Sequence, residues 1–179
     1  LERQVAVKVL LPEHAVHPGQ AALFRREARL LAAVRHENVV HVHTLGEHRG
    51  IPYMVMEYIV GPTLAYYLVQ AVRVHDAIPL DLAISLALQL CRAVQVVHAA
   101  GIIHRDIKPA NIIFVNAEPK LADIGLVAPV AAGSSYVGTE GYIPPEGPGA
   151  PQADRTSSKA EARTVLAMVP SSAPPERQV

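Results

Sequence analysis

The run HRDIKPAN, His104 to Asn111, places an aspartate and an asparagine five positions apart on one short segment. Such a pair can divide two tasks. Asp106 can orient a hydroxyl nucleophile and take its proton, while Asn111 offers an oxygen to a divalent metal. Twelve positions beyond Asn111 stands Asp123, followed by Ile124 and Gly125, which supplies a second hard oxygen donor. Together Asn111 and Asp123 suit magnesium, which favours a few protein oxygens supplemented by substrate phosphates. A lysine set in an apolar run, Lys8 of VAVK, reads in isolation as a strand lysine whose stem lies along apolar surface. Two further features are weaker. His41 and His43 alternate on an expected strand and share a face, but no third ligand stands at a suitable spacing, so they read as surface histidines rather than a zinc site. Cys91 lies in a long apolar helical stretch and reads as core, not as a nucleophile.

These residues need elements to hold them. Val5 to Leu11 is apolar and β-branched around Lys8, a pattern for a strand that Pro12 ends. From Gly19 to Val34 the residues Leu23, Phe24, Leu30, Leu31 and Val34 recur at helical spacing, with Arg25, Arg26, Glu27 and Arg29 between them. Val39 to Leu45 and Tyr53 to Tyr58 read as two strands of a hairpin joined across Gly46 to Pro52. After Gly61 and Pro62 the chain turns helical. Thr63 can cap a segment to about Val72, and a long helix follows from about Leu80 to Ala100, stopped by Gly101. Ile112 to Val115 and Pro119 to Leu121 read as a small hairpin between the asparagine and the second aspartate. From Gly147 onward proline, serine and alanine dominate; only Lys159 to Val169 could hold a helix, and the rest has little apolar surface with which to offset its ordering entropy.

The whole chain, 179 residues and 19.2 kDa, fits one domain or most of one, with half its residues hydrophobic. Sixteen basic and sixteen acidic residues leave no net charge with which to condense on nucleic acid or an anionic membrane, so function must sit in local sites. One cysteine excludes an internal disulfide and fits a reducing compartment, for which a cytoplasmic location is the expectation. The most apolar stretch, Ile78 to Ala100, is interrupted by Pro79, Asp81, Ser85, Gln89, Arg92 and Gln95, so no membrane segment is expected in this chain.

Four segments in order, VAVK, HRDIKPAN, DIG at Asp123 to Gly125 and GTEGYIPPE at Gly138 to Glu146, make the sequence resemble the protein kinase family, specifically bacterial serine/threonine kinases of eukaryotic type. The resemblance covers residues 1–154 and implies an α+β, bilobal kinase-like fold, with a partial small lobe and hinge over 1–60, a partial large lobe over 61–154 and a non-family tail, expected to be disordered, over 155–179. It implies Mg2+ and ATP as cofactors and a protein Ser/Thr hydroxyl as substrate. By the same resemblance Lys8 would bind the α- and β-phosphates and pair with Glu27, Asp106 would address the substrate hydroxyl, Lys108 would stabilise the phosphate in transfer, and Asn111 and Asp123 would hold the metal. Met56 would guard the back of the adenine pocket, Glu57 to Ile59 would form the hinge, and Ala6 and Ile113 would sandwich the base. Arg105 would receive a phosphate on the activation segment, where Ser134 and Ser135 are better candidates than Thr139. His104 would be a packed structural residue.

Departures from the family pattern set the limits of that expectation. Only Leu1 to Gln4 precede VAVK, so the family's glycine-rich phosphate lid and the first two strands of the small lobe are absent from this sequence, and the VAVK strand would have an uncovered edge. After about Arg155 the residues cease to resemble the helices that complete the large lobe: Asp154, which would anchor the catalytic loop, lacks the apolar helix that should follow it, and Glu146 lacks the late-helix arginine it would pair with. Ile124 replaces the usual phenylalanine. Weak or absent activity is therefore expected of this chain alone, with a non-catalytic nucleotide-binding or regulatory module as the alternative. An antibiotic-type small-molecule kinase would share the catalytic loop but not GTEGYIPPE.

Overall fold

The structure, a computed structural model, describes residues 2–75, 77–124 and 162–170. Strand β1 (Glu2–Leu10) leads through a short helix α1 (Pro12–Ala15) into α2 (Pro18–Ala33). The hairpin β2 (Val42–His48) and β3 (Ile51–Glu57) follows, then α3 (Leu64–Arg73) and α4 (Leu80–Ala99). A single turn of 3-10 helix (Pro109–Asn111) opens a second hairpin, β4 (Ile112–Val115) and β5 (Glu118–Leu121), and β6 (Ala162–Pro170) completes the described chain. The α+β class expected from the sequence is the one observed.

Local chemistry explains most boundaries. Proline at the start of α1 and α2 loses nothing there, because the first helical N–H groups have no intrahelical partner. Thr63 accepts a hydrogen bond from the Tyr66 N–H at 3.2 Å and caps α3 as its type predicts. Gly101, at φ +77°, ends α4 in the left-handed region that glycine enters without steric penalty. The β2–β3 turn is Arg49–Gly50, both at positive φ, the two-residue geometry whose twist matches that of antiparallel strands. Asn116 and Ala117 make the same kind of turn between β4 and β5, with Ala117 at φ 67° bearing the strain that a glycine would relieve.

The larger sheet runs β2-β3-β1-β6 with every neighbouring pair antiparallel. Helix α2 packs on it through Phe24, Ala28 and Leu31, against Leu10, Val42, Met54 and Met56. The same core continues into α4 through Ala93 and Val97 and reaches Ile102 and Ile124. One core therefore spans the sheet and the loops that carry HRDIKPAN and Asp123.

Three expectations are corrected. The stretch from Lys159 to Val169, read as the only possible helix of a disordered tail, is instead mostly strand β6, paired residue by residue with β1 from Glu2↔Pro170 to Leu10↔Ala162. Thr164, Val165 and Val169 favour extended backbone, and the open edge of β1 supplies the hydrogen-bond partners that a lone segment lacks. For the same reason the β1 edge is not uncovered. Cys91, read as core, is exposed, because α4 buries Ala93 and Val97 and turns Cys91 away. Helix α4 itself is long and apolar enough, by length and composition, to cross a membrane, although its C-terminal half is built into the core.

Candidate active site

The site is assembled from three pieces of chain. Strand β1 delivers Lys8, which is 7 % exposed and donates to Asp123 Oδ1 at 2.6 Å and to the Ile124 carbonyl at 3.4 Å. The loop after α4 delivers Asp106 and Asn111, both buried. Asn111 Nδ2 donates to the Asp106 carbonyl at 2.8 Å and to Asp106 Oδ2 at 3.2 Å, while Lys108 Nζ lies 3.0 Å from the same Oδ2. The end of β5 delivers Asp123, and the Ala122 N–H donates to the Asn111 carbonyl at 2.8 Å, which stitches the two loops together. Lys8, Asp106, Asn111 and Asp123, which lie as far as 115 positions apart in the chain, are thus joined by one continuous chain of contacts.

Strain marks the same place. Arg105 (φ 64°) and Asp123 (φ 55°) both sit in the left-handed region, where a side chain costs about 1–2 kcal/mol relative to ordinary backbone. Each conformation turns its neighbours inward: His104 and Asp106 flank Arg105 in the interior, and Ile124 follows Asp123 into the core. His104 is fully buried, and its Nε2 lies 3.1 Å from the Ala122 carbonyl while its Nδ1 accepts from the Asp106 N–H at 3.3 Å. This arrangement requires the neutral ring protonated on Nε2, and burial accordingly lowers the His104 pKa below 6.5, against the opposing pull of the Ala122 carbonyl and Asp106. It is the packed structural residue that the sequence suggested.

Glu27 is buried on α2 and faces the site, but its observed partner is Arg105, at 3.4 Å, and not Lys8. The expected Lys8–Glu27 pair is not formed; the Lys8 ammonium meets Asp123 Oδ1 at 2.6 Å instead. Asn111 spends its Nδ2 on Asp106, which leaves Oδ1 for other use, and the Asp123 side chain is half exposed with only Oδ1 engaged by Lys8. Two hard oxygens on adjoining loops fit a magnesium ion.

Two residues before Lys8 on β1, and so on the same face, Ala6 stands across from Met56 in the β1–β3 register, and the chain leaves β3 through Glu57 and Ile59. Ile113 pairs with Thr63 across the way, and Phe114 N–H donates to the Pro62 carbonyl at 2.9 Å, so the segment after β3 is fastened to β4. Gly61 is required in that crossing: a Cβ there would overlap the Phe114 carbonyl oxygen. Behind Met56 a cavity of about 10 Å3 is lined by Lys8, Leu31, Met54, Asp123 and Ile124. Ile124, 3 % exposed, fills the apolar position expected of it.

Sequence reasoning missed a second network at the same junction. Glu57 binds Lys120 Nζ through both oxygens, at 2.7 and 2.9 Å, and accepts from the His41 N–H at 2.8 Å. Asn38, 2 % exposed, donates to the Pro119 carbonyl at 2.7 Å and to Gln89 Oε1 at 3.2 Å. No spacing in the sequence announces these contacts, since the side-chain pairs Asn38–Gln89, Asn38–Pro119 and Glu57–Lys120 join residues 51 to 81 positions apart. Gly125, Ser134, Ser135, Thr139, the segment Gly138 to Glu146 and Asp154 lie outside the described residues.

The protein kinase domain model matches residues 1–160. The chain belongs to the protein kinase domain family. Among curated relatives, the serine/threonine-protein kinase PknB of Mycobacterium leprae is 36 % identical over 157 residues, which is 82 % of this chain and 25 % of that protein. A probable serine/threonine-protein kinase of Streptomyces coelicolor is 34 % identical over 169 residues, 88 % of this chain and 24 % of that one. The chain therefore spans about a quarter of the length of these kinase relatives. Among solved structures, the kinase domain of Mycobacterium tuberculosis PknI superposes with a TM-score of 0.59 at 28 % identity, over 69 % of this chain and 50 % of that domain. Rad53 in complex with AMP-PNP superposes with a TM-score of 0.55 at 28 % identity, over 68 % of this chain and 31 % of the other. These matches bear out the bacterial serine/threonine kinase resemblance and the incomplete kinase fold.

Proposed function

We propose that this chain is the nucleotide-binding and catalytic-loop portion of a serine/threonine protein kinase, which transfers the γ-phosphoryl of Mg-ATP to a protein hydroxyl. The observation that carries the reading is the convergence of Lys8, Asp106, Asn111 and Asp123 on one junction between the sheet and the loops below it. The phosphoryl transition state is loose, so the protein's task is to position groups and to spread charge. Asp106 orients the substrate hydroxyl and accepts its proton; Lys108, 3.0 Å from it, neutralises charge on the phosphoryl in transfer. Asn111 Oδ1 and the Asp123 carboxylate would hold a magnesium ion, which would supply positive charge beside the nucleotide phosphates. Lys8 leaves Asp123 for the nucleotide phosphates. Ala6, Ile113 and Met56 give the adenine apolar surface, and the backbone of Glu57 and Ile59 offers hydrogen bonds to its edge.

A second reading, a nucleotide-binding module with little or no transfer, draws support from three contacts. Lys8 is engaged with Asp123 and Glu27 with Arg105, and β6 lies along the β1 edge beside Lys8. Phosphoryl transfer from γ-labelled ATP to a basic protein substrate separates the readings. The kinase reading predicts labelling that Asp106→Asn lowers about 100-fold or more with nucleotide affinity little changed, and that Lys8→Met also abolishes. Magnesium-dependent ATP binding without any labelling supports the module.

A further inference from the structure

Strand β6 runs antiparallel to β1 over its whole length, so each pair of opposed residues projects to the same side of the sheet. On one side the two registers align Met56, Ala6 and Leu166 in one row, and Met54, Lys8 and Thr164 in the next. This is the side of the site and of the α2 core: Lys8 donates to Asp123, and Leu10, two residues further on, is fully buried. The first row reads large, small, large, which makes a shallow notch floored by Ala6. Met56, on one flank, is 8 % exposed and committed to the core, whereas Leu166, on the other, is 51 % exposed, so half of its apolar surface is left for another group to cover. Val165 and Ala167 project to the other side of the sheet, opposed to Val7 and Val5.

We infer that Leu166 is a binding residue of the nucleotide site, a side chain from β6 that closes the notch over Ala6 against one face of the adenine. The inference rests on the proposed kinase reading and adds to it a contact from a segment that the kinase motifs do not include. Neighbouring strands stand about 4.8 Å apart, so Leu166 lies within reach of a flat ring laid on the Ala6 methyl. Ala6 alone offers the ring a single carbon; the leucine side chain supplies the apolar area that one methyl lacks, and covering its exposed half removes that area from water. The Ala6 and Lys8 rows are two residues of strand apart, about 7 Å, which leaves space for a ribose between a base on the first and phosphates at the second. The residues of β6 follow the same division: apolar Leu166 opposes Ala6, and Thr164, exposed and hydroxylated, opposes Lys8.

The test separates base from phosphate and one face of β6 from the other. Calorimetric titration of the full chain with ADP and with inorganic tripolyphosphate, both in magnesium, should show Leu166→Ala binding ADP about fivefold more weakly than wild type, with tripolyphosphate unaffected. Leu166→Met should recover most of the ADP affinity, and Val165→Ala, on the other face of the same strand, should match wild type for both ligands. The chain contains no tryptophan, so Leu166→Trp and Val165→Trp each introduce a single emitter. Emission from Leu166→Trp should change on addition of ADP and not of tripolyphosphate, while Val165→Trp responds to neither. Unchanged ADP affinity in Leu166→Ala overturns the contact, and tighter binding overturns it too, by showing that β6 plugs the cleft. Equal losses in Leu166→Ala and Val165→Ala also overturn it, because they assign the effect to strand pairing. A wild-type chain that binds neither ligand contradicts the kinase reading, and the base contact falls with it; binding of both ligands with Leu166 indifferent removes the base contact alone.

Discussion

At the scale of single residues, the site is a set of charges that satisfy one another while no nucleotide competes for them. Lys8 neutralises Asp123, Lys108 neutralises Asp106, and Arg105 meets Glu27. Buried charge is tolerated only when paired, so each of these groups can exchange partners far more readily than it can lose one. His104 is the exception, because it is kept neutral by design of its surroundings: Nδ1 accepts, Nε2 donates, and burial holds its pKa below 6.5. The sign of the consequence follows directly. The unfolded chain takes up a proton at His104 as pH falls through 6.5, whereas the folded chain does not until lower pH, so the stability that the neutral ring contributes is complete above 6.5 and is lost below it. Thermal unfolding followed between pH 7.5 and 5 should show this loss, at most about 1.4 kcal/mol per pH unit from one group, and His104→Gln should flatten that part of the profile. An equal slope in both proteins would assign the acid sensitivity elsewhere, for instance to His41 and His43, whose pKa values burial also lowers.

At the scale of elements, the hairpins and caps do the positioning. Gly61 lets the chain cross β4 at a distance no other residue allows, so Gly61→Ala should push the Phe114 carbonyl aside and lower stability by about 1–3 kcal/mol, read from a denaturant midpoint. Strand β6 pairs its backbone with β1 along nine residues, and Val165, Leu166 and Met168 remain about half exposed or more. Removal of residues 162–179 should therefore speed amide exchange along β1 and leave α2 and α4 intact; protection of β1 that survives the truncation would show that the pairing is dispensable. Much of this architecture was legible in the sequence, because α2, α3 and α4 carry periodicity, a threonine cap and a glycine stop that act locally. β6 was not legible, since Ala162 to Pro170 becomes a strand only when β1 offers it an edge. The Cys91 side of α4 was misjudged because apolar character does not mark the core face of this helix: Ala93 and Val97 are buried while Leu82, Ile84 and Leu88 are exposed.

At the scale of the molecule, one core joins the sheet to the loops beneath it, and the catalytic motifs were readable because the chemistry needs fixed residue types at fixed spacing within a single loop. Their convergence was inferred from resemblance; the partners that hold them, Asn38, Gln89 and Lys120, belong to tertiary contacts that spacing does not reveal. The described surface exposes Tyr66, Val69 and Val72 on α3 and Leu80, Leu82 and Ile84 on α4, all apolar or aromatic. The kinase reading finally depends on a single nucleotide site shared by Lys8 and Asp123. Calorimetric titration of a non-hydrolysable ATP analogue, with and without magnesium, into wild type, Lys8→Met and Asp123→Asn tests it most directly. The account predicts magnesium-dependent binding that each substitution weakens about tenfold or more, with the magnesium dependence itself lost in Asp123→Asn. Equal affinity in all three proteins, or binding indifferent to magnesium, would contradict it.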